Sequence, residues 1–252
     1  MKYKLLVCDV DGTLIPNTQH GMPSEKVITA IEKANKKINV SIATARSHAQ
    51  IMHIINPLKL VAPCIITGGA QIIDPTTKKI LLEKTISHKD IEEITQIGAR
   101  MNVLFTIADA AYEEEIIYSK EYKPKRPLDM YSQPLEIKKA QKFIEKISHI
   151  STIEAHKALG WEEKEKVHIV LTNPEASKQY GVLEISKMLG IKKEEIIGVG
   201  EGYNDFSFLM SCGTKIAMGN AIDAIKQIAD YVVPSVEEDG IVYLIEKFIL
   251  SK

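Results

Sequence analysis

The chain alternates short, densely apolar runs with longer stretches in which apolar residues recur every three or four positions. Lys4 to Val10 is the first such run and reads as a strand buried on both faces. Pro23 and Ser24 open a helix that runs to Asn35, with Val27, Ile28 and Ile31 on one stripe. Val40 to Ala43 predicts a second strand and Ser47 to Ile55 a helix capped by Ser47. Cys64 to Thr67 predicts a third strand, broken by Gly68-Gly69. Gln71 to Asp74 and Lys79 to Leu82 pattern as a hairpin around Pro75-Thr76-Thr77. This β-α-β-α-β order predicts a parallel sheet with crossover helices.

From about Glu83 the pattern changes. Ser87 opens a helix through Met101, with Asp90 at capping-box spacing, and Val103 to Ile107 and Glu115 to Ser119 read as strands. Lys120 to Pro134, rich in Lys, Arg and Pro, reads as an exposed loop. Leu135 to Ile147 predicts an amphipathic helix, and Ser151 to Ala155 and Val167 to Leu171 predict strands. The parallel pattern resumes near Pro174, with a helix from Glu175 to Leu189 stopped by Gly190 and a strand from Ile196 to Val199. Phe206 to Ser211, Asn220 to Ala229 and Tyr243 to Leu250 then read as helices, and Lys215 to Met218 and Tyr231 to Val233 as strands. The expected fold is α/β: a Rossmann-like parallel sheet core with helices on both faces, formed by residues 1–82 and 173–252, with an inserted α+β domain over residues 83–172.

Composition narrows the function classes. With 252 residues, 45% of them hydrophobic and 26% charged, the chain has enough apolar material for one large or two modest cores. The formal net charge of −1 gives no global basic field, so neither nucleic acid nor an anionic membrane is an expected partner. No apolar stretch approaches a membrane-spanning length, and entry into a strand within three residues is not the pattern of a signal peptide. Cys8, Cys64 and Cys212 lack metal-site spacing and read as buried free thiols, which suits a reducing, cytoplasmic compartment.

The candidate chemistry begins at Asp9-Val10-Asp11-Gly12-Thr13, directly after the first apolar run. A strand period of two would put Asp9 and Asp11 on one face, where two acids need a shared proton or a cation. Gly12 permits a turn that Cβ-bearing residues resist. Thr44 with Arg46, Lys178, and Glu201 with Asn204 and Asp205 also fall at or just after the carboxyl ends of predicted core elements. Open α/β sheets bind ligands there. Carboxylates with few His or Cys suit Mg²⁺, and a lysine with a hydroxyl suits a phosphoryl group.

Taken in order, these segments resemble the haloacid dehalogenase-like superfamily of phosphohydrolases. Asp9 to Thr13 matches its first motif, Thr44 its second, Lys178 its third and Gly200 to Asp205 its fourth. Ala217-Met218-Gly219-Asn220-Ala221, Ala229-Asp230 and Glu238-Asp239-Gly240 resemble the Cof-type branch (class IIB), in which a large α+β cap of the C2B type is inserted between the second and third motifs. The resemblance implies a Mg²⁺-dependent phosphatase acting on a small phosphorylated metabolite, a sugar phosphate or similar, with the cap closing over the core. Asp9 would be the nucleophile that becomes aspartyl-phosphate, and Asp11 the acid and base, with its backbone carbonyl facing the metal. Thr44 and Lys178 would bind the phosphoryl group and complete the catalytic set. Backbone N–H groups near Gly12 and Ala45, and Asn204, would add contacts to the substrate. Asp9, Asp11, Glu201 and Asp205 would form the metal site.

Some residues admit blander roles. Thr44 and Asn204-Asp205 suit helix starts, Lys178 could be a surface lysine, and Arg46 fits an ion-pair partner better than a catalytic group. His156, His168 and the Lys123-Lys125-Arg126 cluster suit packing or solvated surface, and Trp161 and Tyr112 are candidate substrate contacts. The sequence departs from the family where Glu201 replaces a usual Asp, adding one C–C bond of about 1.5 Å. It also departs at Ala45 and Gly68, where Gly and Asn are common. Two other functions remain open: phosphomutase-like transfer between sugar positions, and a metabolite-binding protein with weakened catalysis.

Overall fold

The computed structural model describes residues 2–18, 20–110, 114–117, 124–159 and 166–251. The chain forms two compact units, one of Met1–Glu83 with Ser177–Lys252, the other of Lys84–Ala176. In chain order, β1 (Leu5–Cys8), α1 (Glu25–Asn35), β2 (Asn39–Ile42), α2 (His48–Leu58), β3 (Cys64–Ile66), β4 (Gln71–Ile73) and β5 (Ile80–Glu83) come first. The second unit contains α3 (His88–Met101), β6 (Phe105–Asp109), β7 (Glu114–Ile117), β8 (Pro127–Ser132), β9 (Leu135–Glu136), α4 (Ile137–Ile147), β10 (Glu154–Leu159) and β11 (Lys166–Thr172). The chain returns through α5 (Lys178–Leu189), β12 (Ile196–Gly200), α6 (Phe206–Met210), β13 (Thr214–Ala217), α7 (Asp223–Ile228), β14 (Tyr231–Val232) and α8 (Gly240–Ile245), which continues as a π-helical turn over Glu246–Leu250. Among the described residues no helix is long and apolar enough to cross a membrane.

The first unit is built on a five-stranded sheet in the order β14-β13-β12-β1-β2, parallel throughout. Every residue of β1 and β12 is buried, as their unbroken apolar runs predict. β1 lies between β2, which follows it, and β12, which arrives from far down the chain. Strand order therefore reverses at the β1–β12 pair, the place where open α/β sheets leave a crevice. Cys8 is paired with Val199 there, which sets Asp9 beside Gly200 and the turn that follows it. α1 starts as read, with Ser24 Oγ accepting from Val27 N–H at 3.2 Å and Val27, Ala30, Ile31 and Ala34 buried along one stripe.

β3 does not extend this sheet as expected. It pairs antiparallel with β4, and β5 completes a separate three-stranded sheet. Its link to β2 is a single bridge, Ala43 with Ile65. The cause is the turn at Thr67, Gly68 and Gly69, whose φ values of +49°, +64° and +109° fold the chain straight back. Only the glycines take such angles without strain.

The second unit has an antiparallel sheet, β10-β11-β8-β6-β7, with β9 also paired to β11. Ile91 and Ile94 of α3 and Phe143 and Ile147 of α4 share its apolar core with Phe105, Ile107, Met130, Ile169 and Leu171. The expected exposed loop from Lys120 to Pro134 is corrected here, because Pro127–Ser132 is β8, a largely buried strand inside the sheet. Pro127 takes the first strand position, where a missing N–H is tolerated, and the flanking Lys and Arg hid the buried Leu128 and Met130. The helix expected from Leu135 begins at Ile137, after two residues of strand. His168 lies on β11, its Nδ1 donating to the Ser132 carbonyl at 2.7 Å, and the Lys125 and Arg126 amides donate to the Asp109 carboxylate at 2.6 and 3.0 Å. Trp161, Tyr112 and Lys123 lie outside the described residues.

The expected start of α5 at Glu175 is also corrected. Ala176 N–H closes a turn onto the Asn173 carbonyl, and Ser177 is the cap, its Oγ accepting from Tyr180 N–H at 3.1 Å. Lys178 thus becomes the first residue of the helix. The cysteines are free and buried, and burial pushes the thiols of Cys64 and Cys212 up to about 12. α5 seats tightly on β3, since a Cβ on Gly181 would lie 2.8 Å from Ile65 Cγ2. Gly181→Ala should therefore destabilise the protein by about 1–3 kcal/mol in urea unfolding; an unchanged midpoint would show that α5 has room to move.

Candidate active site

Four segments of the first unit converge at the carboxyl ends of β1, β2 and β12. Asp9 follows β1 directly, and its N–H donates to the Val199 carbonyl at 2.9 Å. The chain then turns sharply. The Val10 carbonyl accepts from the amides of Thr13, Leu14 and Ile15, and the Gly12 N–H donates to the Ile15 carbonyl at 2.8 Å with Gly12 at φ +74°. Two expectations change as a result. A strand period does not relate Asp9 and Asp11, because β1 has ended at Cys8. The amide of Gly12 is spent inside the turn and is not a donor for a ligand.

Lys178 is the hub. Its Nζ lies 2.6 Å from Asp9 Oδ1 and 2.7 Å from Asp205 Oδ1, and all three side chains are buried. Asp205 Oδ2 accepts from the amides of Glu201 and Gly202 at 2.8 and 3.0 Å, so three of its roughly four lone-pair positions are used within the protein. The glycines around it make the room. A Cβ on Gly200 would sit 2.6 Å from Asp205 Oδ2, and one on Gly69 would sit 2.2 Å from the carbonyl of Ser177, the residue that caps α5. Gly69 and Gly181 together seat α5 so that Lys178 reaches both acids.

Glu201 joins Asp9 and Asp205 in a cluster in which one oxygen from each lies within 4.8 Å of the others. Its side chain packs over the turn, with Cγ 3.0 Å from where a Cβ on Gly12 would be. Asn220, not singled out as a site residue from the sequence, holds this turn by donating from Nδ2 to the Gly12 carbonyl at 2.8 Å, while its Oδ1 accepts from the Val236 amide at 3.0 Å. The only sequence signal for it was its place in the Met218-Gly219-Asn220 stretch.

The carboxylate of Asp11 is not in that cluster, and the metal role expected of this residue was for its backbone carbonyl. Arg46 holds the carboxylate, with Nη2 2.6 Å from Oδ1 and Nε 3.0 Å from Oδ2. Arg46 is thus the ion-pair partner its residue type suggested. Thr44 is buried beside it, and its Oγ1 accepts from the Arg46 amide at 3.1 Å, which leaves the hydroxyl proton to donate. The loop is pinned from the other side, as Thr67 N–H donates to the Arg46 carbonyl and Gly68 N–H to the Thr44 carbonyl. Ala45 is exposed on this loop, and Asn204 is exposed on the turn between Glu201 and Asp205.

Burial, and then the negative charge of Asp205, hold the Asp9 carboxyl above the ordinary carboxylate range, while Lys178 pulls it back. The same two causes raise Glu201. The Lys178 ammonium resists the desolvation that would lower it, because Asp9 and Asp205 raise it further. The cluster fits a hard divalent cation on three counts. Its donors are all oxygen, they converge, and three carboxylates against one ammonium leave a formal charge of −2.

Residues 6–245 match the family of haloacid dehalogenase-like hydrolases. Phosphatase YwpJ of Bacillus subtilis is 26% identical over 96% of this chain and 99% of its own length. Phosphoglycolate phosphatase 2 of Saccharolobus solfataricus is 26% identical over 97% of this chain and 92% of its own. The solved structure of the subclass IIB sugar phosphatase BT4131 superimposes with a TM-score of 0.76 at 22% identity, covering 97% of this chain and 98% of that one. The chain belongs to the haloacid dehalogenase-like hydrolases, and the resemblance to their Cof-type phosphatases read from its motifs holds.

Two outcomes follow from this geometry. Lys178→Met strands two buried acids and should cost the metal-free protein about 3–5 kcal/mol in urea unfolding; a loss below about 1 kcal/mol would mean that the acids are not buried ions. Asp9 and Glu201 take up protons above the ordinary carboxylate range, and a protonated carboxyl is a poor cation ligand. Affinity for an added divalent cation, measured by calorimetry, should therefore fall as pH is lowered from above about 7, the value to which Asp9 is raised, toward the ordinary carboxylate range. A flat profile would contradict the raised values.

Proposed function

We propose that the protein is a Mg²⁺-dependent phosphatase that hydrolyses a small phosphorylated metabolite, a sugar phosphate or similar, through an aspartyl-phosphate on Asp9. The observation that carries this reading is the buried Asp9–Lys178–Asp205 bridge beside Glu201, at the point where the order of the parallel sheet reverses. The phosphatases named above support it, as does the family.

In the first step Asp9 attacks phosphorus, the bond to the ester oxygen breaks, and Asp11 gives that oxygen a proton. In the second, water attacks phosphorus, the bond to Asp9 breaks, and Asp11 takes the proton of the water. Phosphate and the free alcohol leave, and both aspartates are restored. Lys178 offsets the charge of Asp9 so that one anion can approach another, and Thr44 donates its hydroxyl proton to a phosphoryl oxygen. Asp9, Glu201 and Asp205, with the Asp11 carbonyl, would hold Mg²⁺, which when bound neutralises charge on the phosphoryl oxygens. The second unit would serve as the C2B cap that selects the substrate. The three buried thiols support a cytoplasmic setting.

The test is release of p-nitrophenol from p-nitrophenyl phosphate. The native protein with Mg²⁺ should turn over and Asp9→Asn should fall to background. No activity with Mg²⁺, Mn²⁺ or Co²⁺, or full activity in the variant, would remove the reading.

A further inference from the structure

We infer that Arg46 is a positioning residue that sorts the two aspartates, keeping the Asp11 carboxylate out of the cation cluster and fixing it for proton transfer. The proton-transfer half rests on the phosphatase reading above; the sorting half does not.

Asp11 is two residues from Asp9, on a turn that Glu201 packs against. Its carboxylate lies near enough to the other acids for its charge to bear on Glu201. What holds it is a guanidinium fork with three contacts, Nη2 to Oδ1 at 2.6 Å, Nε to Oδ2 at 3.0 Å and Nε to Oδ1 at 3.2 Å. A planar fork fixes the plane of a carboxylate, which a point charge does not.

Arg46 is itself held on several sides. Nη2 also donates to the Thr18 carbonyl at 3.2 Å, its amide donates to Thr44 Oγ1 at 3.1 Å, and its carbonyl accepts from Thr67 at 2.9 Å. Its side chain is 15% exposed and that of Asp11 33%. An ordinary surface pair is looser and wetter than this. At rest the arrangement divides the charges into a neutral pair, Arg46 with ionised Asp11, and a cluster of formal charge −2 around Lys178, so Asp11 takes up a proton before it serves as the acid of the first step. Without Arg46 the freed carboxylate becomes a fourth acid for a divalent cation to recruit.

The experiment compares native protein with Arg46→Ala, Arg46→Lys, Asp11→Asn and the double variant Arg46→Ala/Asp11→Asn. Calorimetric titration with Mg²⁺ alone reads sorting. Affinity should tighten by about threefold or more in Arg46→Ala, where a positive charge is lost and a negative one freed. It should return toward native in the double variant and stay near native in Arg46→Lys. Turnover of p-nitrophenyl phosphate reads positioning. kcat should fall about 100-fold in Arg46→Ala and in Asp11→Asn, the scale of a lost acid–base group. The double variant should be no slower than Asp11→Asn, because Arg46 acts through Asp11. Arg46→Lys, with the charge but not the fork, should also lose most of its kcat.

Unchanged Mg²⁺ affinity in Arg46→Ala overturns the sorting. Losses that multiply in the double variant, or a native kcat in Arg46→Ala, overturn the positioning. If native protein hydrolyses nothing, the phosphatase reading fails and the Mg²⁺ titration still decides the sorting. If circular dichroism shows Arg46→Ala unfolded, Arg46→Gln replaces it in both arms.

Discussion

The rest of the site depends on one buried cation shared between two acids. Lys178 bridges Asp9 and Asp205 from the first turn of α5, a position where the helix dipole already disfavours positive charge. Only acids held close can keep an ammonium there, and only that ammonium lets the acids stay ionised without water. The lysine offsets only part of the charge of the three acids, so the crevice between β1 and β12 keeps a formal charge of −2 that favours a cation, and an anion such as a phosphoryl group is best received once a cation has offset it.

What places the bridge is mostly empty space. Gly69 admits the cap of α5, Gly181 lets the helix settle on β3, and Gly200 leaves room for the Asp205 carboxylate. These three positions carry no chemistry, yet each limits how closely two backbones or a backbone and a carboxylate can approach. The acids and the lysine are the visible part of the site, and the glycines determine whether they meet.

Much of this was legible in the sequence. Asp9, Lys178, Glu201 and Asp205 lie at the ends of apolar runs, and a parallel sheet brings such ends together, so topology supplied the proximity. Strand ends and caps were legible because Ser24, Ser87 and Gly190 are local signals acting over a few residues. Local polarity misled at Pro127–Ser132, where neighbouring Lys and Arg concealed a strand whose burial comes from pairing with β6 and β11. It misled again at β3, where backbone angles at the Thr67–Gly69 turn decided the partner. The place of Asp11 was not legible because it depends on a guanidinium 35 residues away, and no spacing rule reports that a fork closes on one carboxylate and not its neighbour. Asn220 was missed for the same reason, since its bond to Gly12 spans 208 residues.

The position of β1 has a consequence for how the chain is made. β1 pairs with β2 at once, but its other partner, β12, begins at Ile196. During synthesis the hydrophobic edge of β1 stays open while some 150 further residues are translated, a wait of roughly 8–30 s at ordinary elongation rates. The second unit is continuous in sequence and can form its own core in that interval. The first unit cannot close until the ribosome has delivered Gly200. The residues proposed for catalysis are thus among the last parts of the protein to come together, and a chain stopped short of them exposes a strand suited to pairing with another copy of itself.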